Sequence, residues 1–274
     1  MHPLKTIGMI GLGAMGRPMT RHLIANGYRV FGTDPVPACR EAAASLSASI
    51  LETPAEVAAQ CDLAIVVAGF DSQVEAVFFG KGGLMETARP GLIVAVGSTV
   101  APSFARELAR RVAERGLILL DAALTRGEPA AEAGKMLVMG GGDPTAFEAC
   151  RPVFATFASD IFNLGPFGAG QVGKMVNNLL LWACMTASDE GLRLGEALGV
   201  DQETMRAALE HSSGQNWSLS NRAESRPTPW AEKDMTIVQQ EADALRLSIP
   251  VCGVVKEAIK DFKVRRGYPT PKTQ

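Results

Sequence analysis

The sequence predicts an α/β fold, an N-terminal doubly wound sheet followed by an all-α C-terminal domain. Three observations carry this. Short, continuous apolar runs alternate with helix-like segments through the first part of the chain. A glycine-rich turn, Gly11-Leu12-Gly13-Ala14-Met15-Gly16, joins the first run to the first segment. After Gly165-Pro166-Phe167-Gly168-Ala169-Gly170 strand signals cease and apolar residues recur at helical spacing.

In chain order, strands are predicted over 7–10, 28–31, 63–68, 92–96, 117–120, 137–139 and 161–164, and helices over 17–26, 38–46, 55–60, 72–78, 103–115 and 144–157. Hydrophobicity that is continuous rather than alternating marks strands covered on both faces, as a parallel sheet requires. The glycine turn fits this frame. Its first two glycines permit a tight turn and close approach of backbone to a pyrophosphate, and the third lets the helix pack on the strand. Free amides at the helix start then hold the anion. Asp34 ends the second strand, where a carboxylate accepts from both ribose hydroxyls of an adenosine and repels a 2'-phosphate. Pro35, Val36 and Pro37 follow it, with no arginine among them, so NAD is expected in preference to NADP. The motif in this context predicts a Rossmann-type domain over 1–163, with Gly11, Leu12, Gly13, Ala14, Met15, Gly16 and Asp34 as cofactor contacts.

The remainder, 164–274, is expected to be all-helical, for substrate binding and dimerisation. A long helix over 171–198 places Met175, Leu179, Trp182 and Met185 at helical spacing; at about 1.5 Å per residue it runs on the order of 40 Å. Helices over 202–210, 232–245 and 251–262 follow, with 226–230 a proline-bearing loop and 265–270 a fraying tail.

Composition excludes several classes of function. Of 274 residues 47% are hydrophobic and the formal net charge is -2, with no block of like charge, which argues against a nucleic-acid or polybasic membrane surface. The longest apolar stretch, 179–185, is too short to span a bilayer. Met1 to Thr6 lead straight into the first strand without room for a signal peptide, so a cytoplasmic location is expected. Five scattered cysteines and three histidines suggest neither a disulfide framework nor a zinc site, and most of the thiols are expected to be buried and free.

The reaction has to be sought outside the nucleotide fingerprint. Lys174 lies in the first turns of the long helix, directly after the glycine-rich hinge, with Asn177 and Asn178 three and four residues on. Residues at i and i+4 share a helix face, so an ammonium and an amide are expected to point together into an interdomain cleft. Burial lowers a lysine pKa, and a lysine so tuned can take a proton from a hydroxyl as hydride leaves the same carbon.

Four segments extend this reading: Gly11 to Met19, Ser98-Thr99-Val100-Ala101-Pro102, Gly168 to Asn178, and Lys233-Asp234-Met235. With them the chain resembles the beta-hydroxyacid dehydrogenase family, which includes 3-hydroxyisobutyrate dehydrogenase and tartronate semialdehyde reductases. The segments occur in family order and cover nearly the whole chain. The resemblance implies an oxidoreductase acting on CH-OH groups, with Lys174 catalytic, Asn178 and Ser98 binding substrate, Thr99 touching cofactor, and Lys233 reaching the cofactor side of the cleft. Departures from the family pattern are informative. Ala68-Gly69 stands where the family has Leu-Pro at the cofactor, and Val96 stands where an aspartate precedes the Ser-Thr loop. The substrate loop reads Asp121-Ala122-Ala123-Leu124-Thr125-Arg126-Gly127. Thr125 keeps a hydroxyl there, Arg126 adds a guanidinium able to grip carboxylate, phosphate or sulfonate, and Gly127 lets the loop close. An anionic substrate is therefore expected, the alternative for Arg126 being a surface pair with Glu128. Trp217 and Trp230 are read as packing residues that could line the pocket.

These residues predict an NAD-dependent dehydrogenase or reductase of a small anionic beta-hydroxy acid or its semialdehyde, acting as a homodimer or higher homo-oligomer. The alternatives are a decarboxylating phosphogluconate-type dehydrogenase, whose helical domain is much larger, and a non-catalytic NAD-binding module, which would have no need of Lys174.

Overall fold

A computed structural model of the chain describes residues 4–221 and 227–269. Two compact units, Met1–Lys174 and Met175–Gln274, divide the chain inside a helix. The first contains β1 (Thr6–Ile10), α1 (Gly16–Ala25), β2 (Arg29–Thr33), α2 (Pro37–Ala44), β3 (Ser49–Ile50), α3 (Pro54–Gln60), β4 (Leu63–Val66), α4 (Asp71–Phe79), β5 (Ile93–Val96), α5 (Pro102–Val112), β6 (Ile118–Thr125), α6 (Gly127–Glu132), β7 (Met136–Gly142), α7 (Pro144–Phe154) and β8 (Ala158–Asn163). The long helix α8 (Ala169–Ala197) begins in this unit.

The strands form one 8-stranded sheet in the order β3-β2-β1-β4-β5-β6-β7-β8. The central strands β1, β4 and β5 are apolar almost throughout because each faces two cores. Ile7 and Met9 of β1, Leu63 and Ile65 of β4 and Ile93 and Ala95 of β5 enter one cluster. Ile10, Ala64, Val66, Val94 and Val96 enter the other. Each large apolar side chain buried this way contributes about 1.5–3 kcal/mol, so the two faces together supply the unit's main driving force.

The sheet corrects the parallel expectation at one place: β7 runs antiparallel to β6. Only residues 126–135 connect them, fewer than the dozen or so that a parallel crossover needs. The same pairing divides β6. Ile118 to Asp121 pair with β5, Leu120 to Thr125 pair with β7, and the last four residues extend past the end of β5. β7 continues through Gly140, Gly141 and Gly142, which read as a breaker in sequence. The glycines are there for space: a Cβ at Gly140 would lie 2.0 Å from the Phe147 ring, and one at Gly141 would lie 2.6 Å from the Pro166 carbonyl.

The second unit contains most of α8, then α9 (Gln202–Leu209), α10 (Trp217–Asn221), α11 (Ala231–Ala244) and α12 (Pro250–Arg265). Trp182, Met185, Met235, Val238, Val255, Ile259 and Phe262 form its core. The expected fraying tail is corrected in part. α12 extends to Arg265, the Arg265 and Arg266 guanidinium groups both bond Asp189, and Tyr268 packs edge-on against Phe262. Residue 270 and residue 226 of the expected loop lie outside the described residues. All five cysteines are free, and burial pushes the Cys61 and Cys150 thiols up to about 12. Among the described residues no helix is long and apolar enough to cross a membrane.

Candidate active site

The carboxyl ends of β1, β4 and β5 come level with one another and with Asp121 midway along β6, through the pairs Ile10 with Val66, Val66 with Val96, and Val96 with Asp121. The chain reverses direction across the sheet between β1 and β4, and open α/β sheets bind ligands at such a switch point.

The glycine turn leaves β1 there. Gly11 adopts φ +103°, and a Cβ on it would lie 2.0 Å from the Val67 carbonyl; one on Gly16 would lie 2.0 Å from the Gly11 carbonyl. Both glycines are required by packing. Gly13 is not, because a Cβ on it would meet nothing within 4 Å. That leaves open space above the loop. α1 starts with no side-chain cap and no acidic residue in its first turn, so its opening amides suit an anion. Leu12 packs beneath the loop, with Ala14 exposed and Met15 half-buried.

Asp34 holds this turn together. Its Oδ2 accepts from the Leu12 amide at 2.7 Å and its Oδ1 from the Val36 amide at 2.8 Å. An ionised carboxylate has about four acceptor sites, so capacity for ribose hydroxyls is left. The Arg40 guanidinium bonds the Asp34 carbonyl at 2.8 Å. Arg40 lies three residues beyond Pro37, outside the Pro35-Val36-Pro37 stretch that directly follows Asp34, so the immediate sequence does not reveal it.

Ser98, 2% exposed, accepts from the Ala68 amide at 2.7 Å and donates to the Val66 carbonyl at 3.3 Å, which ties the ends of β4 and β5. The adjoining Gly69 amide donates to Gln73 Oε1. The half-buried Thr99 sits between two backbone groups held by one side chain: Gln171 donates to the Ser98 carbonyl at 3.0 Å and accepts from the Val100 amide at 3.1 Å. Gln171 lay in a matching segment, yet nothing in the sequence paired it with residue 98.

At the tip of β6, Thr125 is buried and its hydroxyl reaches the Leu137 carbonyl at 3.5 Å, a weak bond. Arg126 and Gly127 both take left-handed backbone, φ +76° and +74°. The Arg126 guanidinium bonds Asp160 at 2.7 Å, Ser159 Oγ at 2.9 Å and the Lys135 carbonyl at 3.2 Å. Its partner is thus Asp160 on β8, not Glu128, because β7 and β8 lie beside the loop in the sheet. An anion reaching for this guanidinium competes with a carboxylate already in place. α6, which follows, is tied to the nucleotide-side helix: Glu132 pairs with Arg21 at 2.9 Å and with Arg17 at 3.5 Å.

Beneath the loop, Asp121 is fully buried, and its Oδ2 accepts from the amides of Gly168 and Gly170. Burial raises its pKa from 3.8 to about 7, against the opposing pull of those amides and of Gln171. Sequence reading passed over it as the first letter of the substrate loop.

Lys174 and Asn178 stand one turn apart on the continuous helix α8. Lys174 is half-buried; Asn178 is 3% exposed, and its Oδ1 accepts from Asn177 Nδ2 at 3.0 Å. On α11 the Lys233 ammonium lies 5.7 Å from the centre of the Trp230 ring, while the neighbouring Glu232 pairs with the buried Lys263 at 3.0 Å. Trp217 and Trp230 each keep an exposed side. Among the described residues no group of three or more His, Cys, Asp or Glu is placed to hold a metal ion.

Comparison with known proteins adds a separate line of observation. A family model described as the NAD binding domain of 6-phosphogluconate dehydrogenase matches residues 6–165, and one described as the NAD-binding of NADP-dependent 3-hydroxyisobutyrate dehydrogenase matches residues 168–270. The chain is similar to L-threonate dehydrogenase of Cupriavidus necator, 35% identical over 80% of this chain and 74% of the relative. It is similar to NAD-dependent L-serine dehydrogenase of Pseudomonas aeruginosa, 32% identical over 97% of this chain and 94% of the relative. Among solved structures it is similar to 3-hydroxyisobutyrate dehydrogenase of Mycobacterium tuberculosis with L-serine, with a TM-score of 0.86 and 25% identity over 95% of this chain and 94% of the other.

Proposed function

The chain belongs to the beta-hydroxyacid dehydrogenase family, and on that premise we propose that it interconverts a small anionic beta-hydroxy acid and its semialdehyde with Lys174 as general acid and base. It is an oxidoreductase acting on CH-OH groups, with NAD as its nicotinamide cofactor. Bound NAD supplies the hydride acceptor in oxidation, and its reduced form the donor in the reverse direction.

The residues divide the remaining work. The glycine turn and the opening amides of α1 hold the pyrophosphate, with Gly13 leaving the room it needs. Asp34 holds the ribose hydroxyls and excludes a 2'-phosphate by like charge. Ala68, Gly69 and Thr99, on loops pinned by Ser98 and Gln171, face the nicotinamide end, and Lys233 contributes a cation on the cofactor side. Lys174 Nζ takes the hydroxyl proton during oxidation and returns it to the carbonyl oxygen during reduction. Asn178 orients that oxygen. Thr125 and Gly127 hold the carboxylate end, joined by Arg126 when its guanidinium turns from Asp160. Apolar side chains left exposed in the second unit, among them Leu194, Leu198, Val251 and Val254, are what a second copy of the chain would cover in a homodimer.

The observation that carries this reading is the placement of Lys174 and Asn178 one turn apart on a single unbroken helix, since a module that only bound nucleotide would need neither. Lys174→Ala tests it. Turnover on the best substrate of a semialdehyde and hydroxy-acid panel should fall by about 10² to 10⁴-fold, with NADH affinity unchanged. Retention of more than about a third of turnover would refute the assignment.

A further inference from the structure

We propose that Asp121 is a positioning residue for Lys174: its carboxylate fixes the first turn of α8, and Gln171 in that turn locks it to the loop carrying Thr99. The inference rests on the catalytic assignment of Lys174 and adds a reason for the lysine's placement.

Asp121 is an unusual residue for its position. Side chains alternate along β6, and Leu120, Ala122 and Leu124 enter one core, so Asp121 points to the opposite face, the one that Val94 and Val96 of β5 supply. A carboxylate there is costly unless hydrogen bonds compensate it. It has two, both from the backbone of the α8 start: Gly168 N and Gly170 N donate to Oδ2, while Oδ1 has no hydrogen-bond partner. A negative group at a helix N-terminus is favoured by the dipole as well as by the amides. The approach is close enough to dictate the neighbouring residues. A Cβ at Gly170 would lie 2.6 Å from Asp121 Cβ, and one at Gly141 would lie 2.8 Å from Asp121 Oδ2.

Gln171 completes the device. It is 1% exposed, and its amide grips the Ser98 carbonyl and the Val100 amide on either side of Thr99. One buried cluster therefore sets three things at once: the middle of β6, the Ser98 to Val100 loop, and the turn that leads into Lys174. An apolar residue at 121 could fill the core, but it would leave the Gly168 and Gly170 amides without this acceptor. The carboxylate's burial pushes it up to about 7, a cost that packing alone does not explain.

The test compares Asp121→Ala and Asp121→Asn with the wild-type enzyme in steady-state turnover, NADH binding and hydrogen exchange over residues 168–174. Asp121→Ala should lower kcat by about tenfold or more, leave the NADH Kd within about twofold, and speed exchange in that segment, because a small misplacement of a catalytic group is costly. Asp121→Asn, which keeps an acceptor for both amides, should stay within about threefold of wild-type kcat. In a Lys174→Ala background, Asp121→Ala should cost less than about twofold more, as expected when two residues act through one group. A purely structural role would give additive losses and an equal fall in NADH binding, and would overturn the proposal. Full turnover by Asp121→Ala beside an inactive Lys174→Ala would overturn it alone; full turnover by Lys174→Ala would overturn the catalytic assignment and the proposal with it. If the alanine variant does not fold, Gln171→Ala carries the same comparison from the loop side, with the same kcat loss expected and an unchanged kcat refuting.

Discussion

Exchanging Asp121 for asparagine removes an ionisation from the core while keeping the side chain's shape. The folded carboxyl titrates at about 7 against an ordinary 3.8, burial being the largest cause. Because the folded value lies above the unfolded one, the group's stabilising contribution is complete below the unfolded pKa and is lost as pH rises through the folded pKa. At about 1.36 kcal/mol per pH unit, the interval amounts to roughly 4 kcal/mol. The asparagine variant has no such dependence. Its stability relative to wild type should therefore climb by roughly 4 kcal/mol between about pH 4 and pH 8, whatever constant offset the amide introduces. Calorimetric unfolding of both proteins over that range measures the difference. Far-ultraviolet circular dichroism is the suitable second probe, since Trp182, Trp217 and Trp230 all lie in the second unit and do not report on β6. A difference that stays flat with pH would show that Asp121 titrates normally, and the reasoning from its burial would fail.

Three further outcomes are expected. Asp34→Ala should raise the NADP to NAD ratio of kcat/KM, and Arg40→Ala in that background should lower it again, since Arg40 is the cation bonded at this place; an unchanged ratio in the first variant would remove Asp34 from cofactor selection. Asp160→Asn, which releases the Arg126 guanidinium, should lower KM for an anionic substrate, while Arg126→Ala should raise it by roughly ten- to a hundredfold, the worth of a charge-assisted bond in a partly dry site. If neither variant moves KM, Arg126 serves only to tie its loop to β8. Light scattering at micromolar concentration should return a dimer or larger assembly, and a fully active monomer would refute that expectation.

The glycine turn, its flanking strand and helix, and Asp34 were legible in sequence because local geometry alone demands them. β3 and α10 were not, for each is too short to show a period. α6, six residues long, was not among the predicted helices. β7 was cut short where glycine usually breaks a strand; only the positions of Phe147 and Pro166 explain why glycine is needed there. The partner of Arg126 could not be read either, since Asp160 becomes a neighbour only once the order of β6, β7 and β8 is known. Asp121 illustrates the same limit. Its identity was plain, but whether it faced solvent or core depended on strand phase and on the return of α8.

The loss of one partner along β6 has a consequence for how such a protein can diverge. Up to Asp121 the strand is built into the edge where the nucleotide is expected to lie; from Ala122 onward β5 has ended and only β7 holds it, as half of a hairpin. Thr125 rides at the tip of that arm on backbone hydrogen bonds that do not depend on side-chain identity, with Arg126 and Gly127 just beyond it. Mutations accumulating at the tip can alter what is grasped while the nucleotide half stays frozen. The arm is accordingly a transplantable unit: exchanged as a block between homologues, with β7 included to preserve its register, it should carry substrate preference with it.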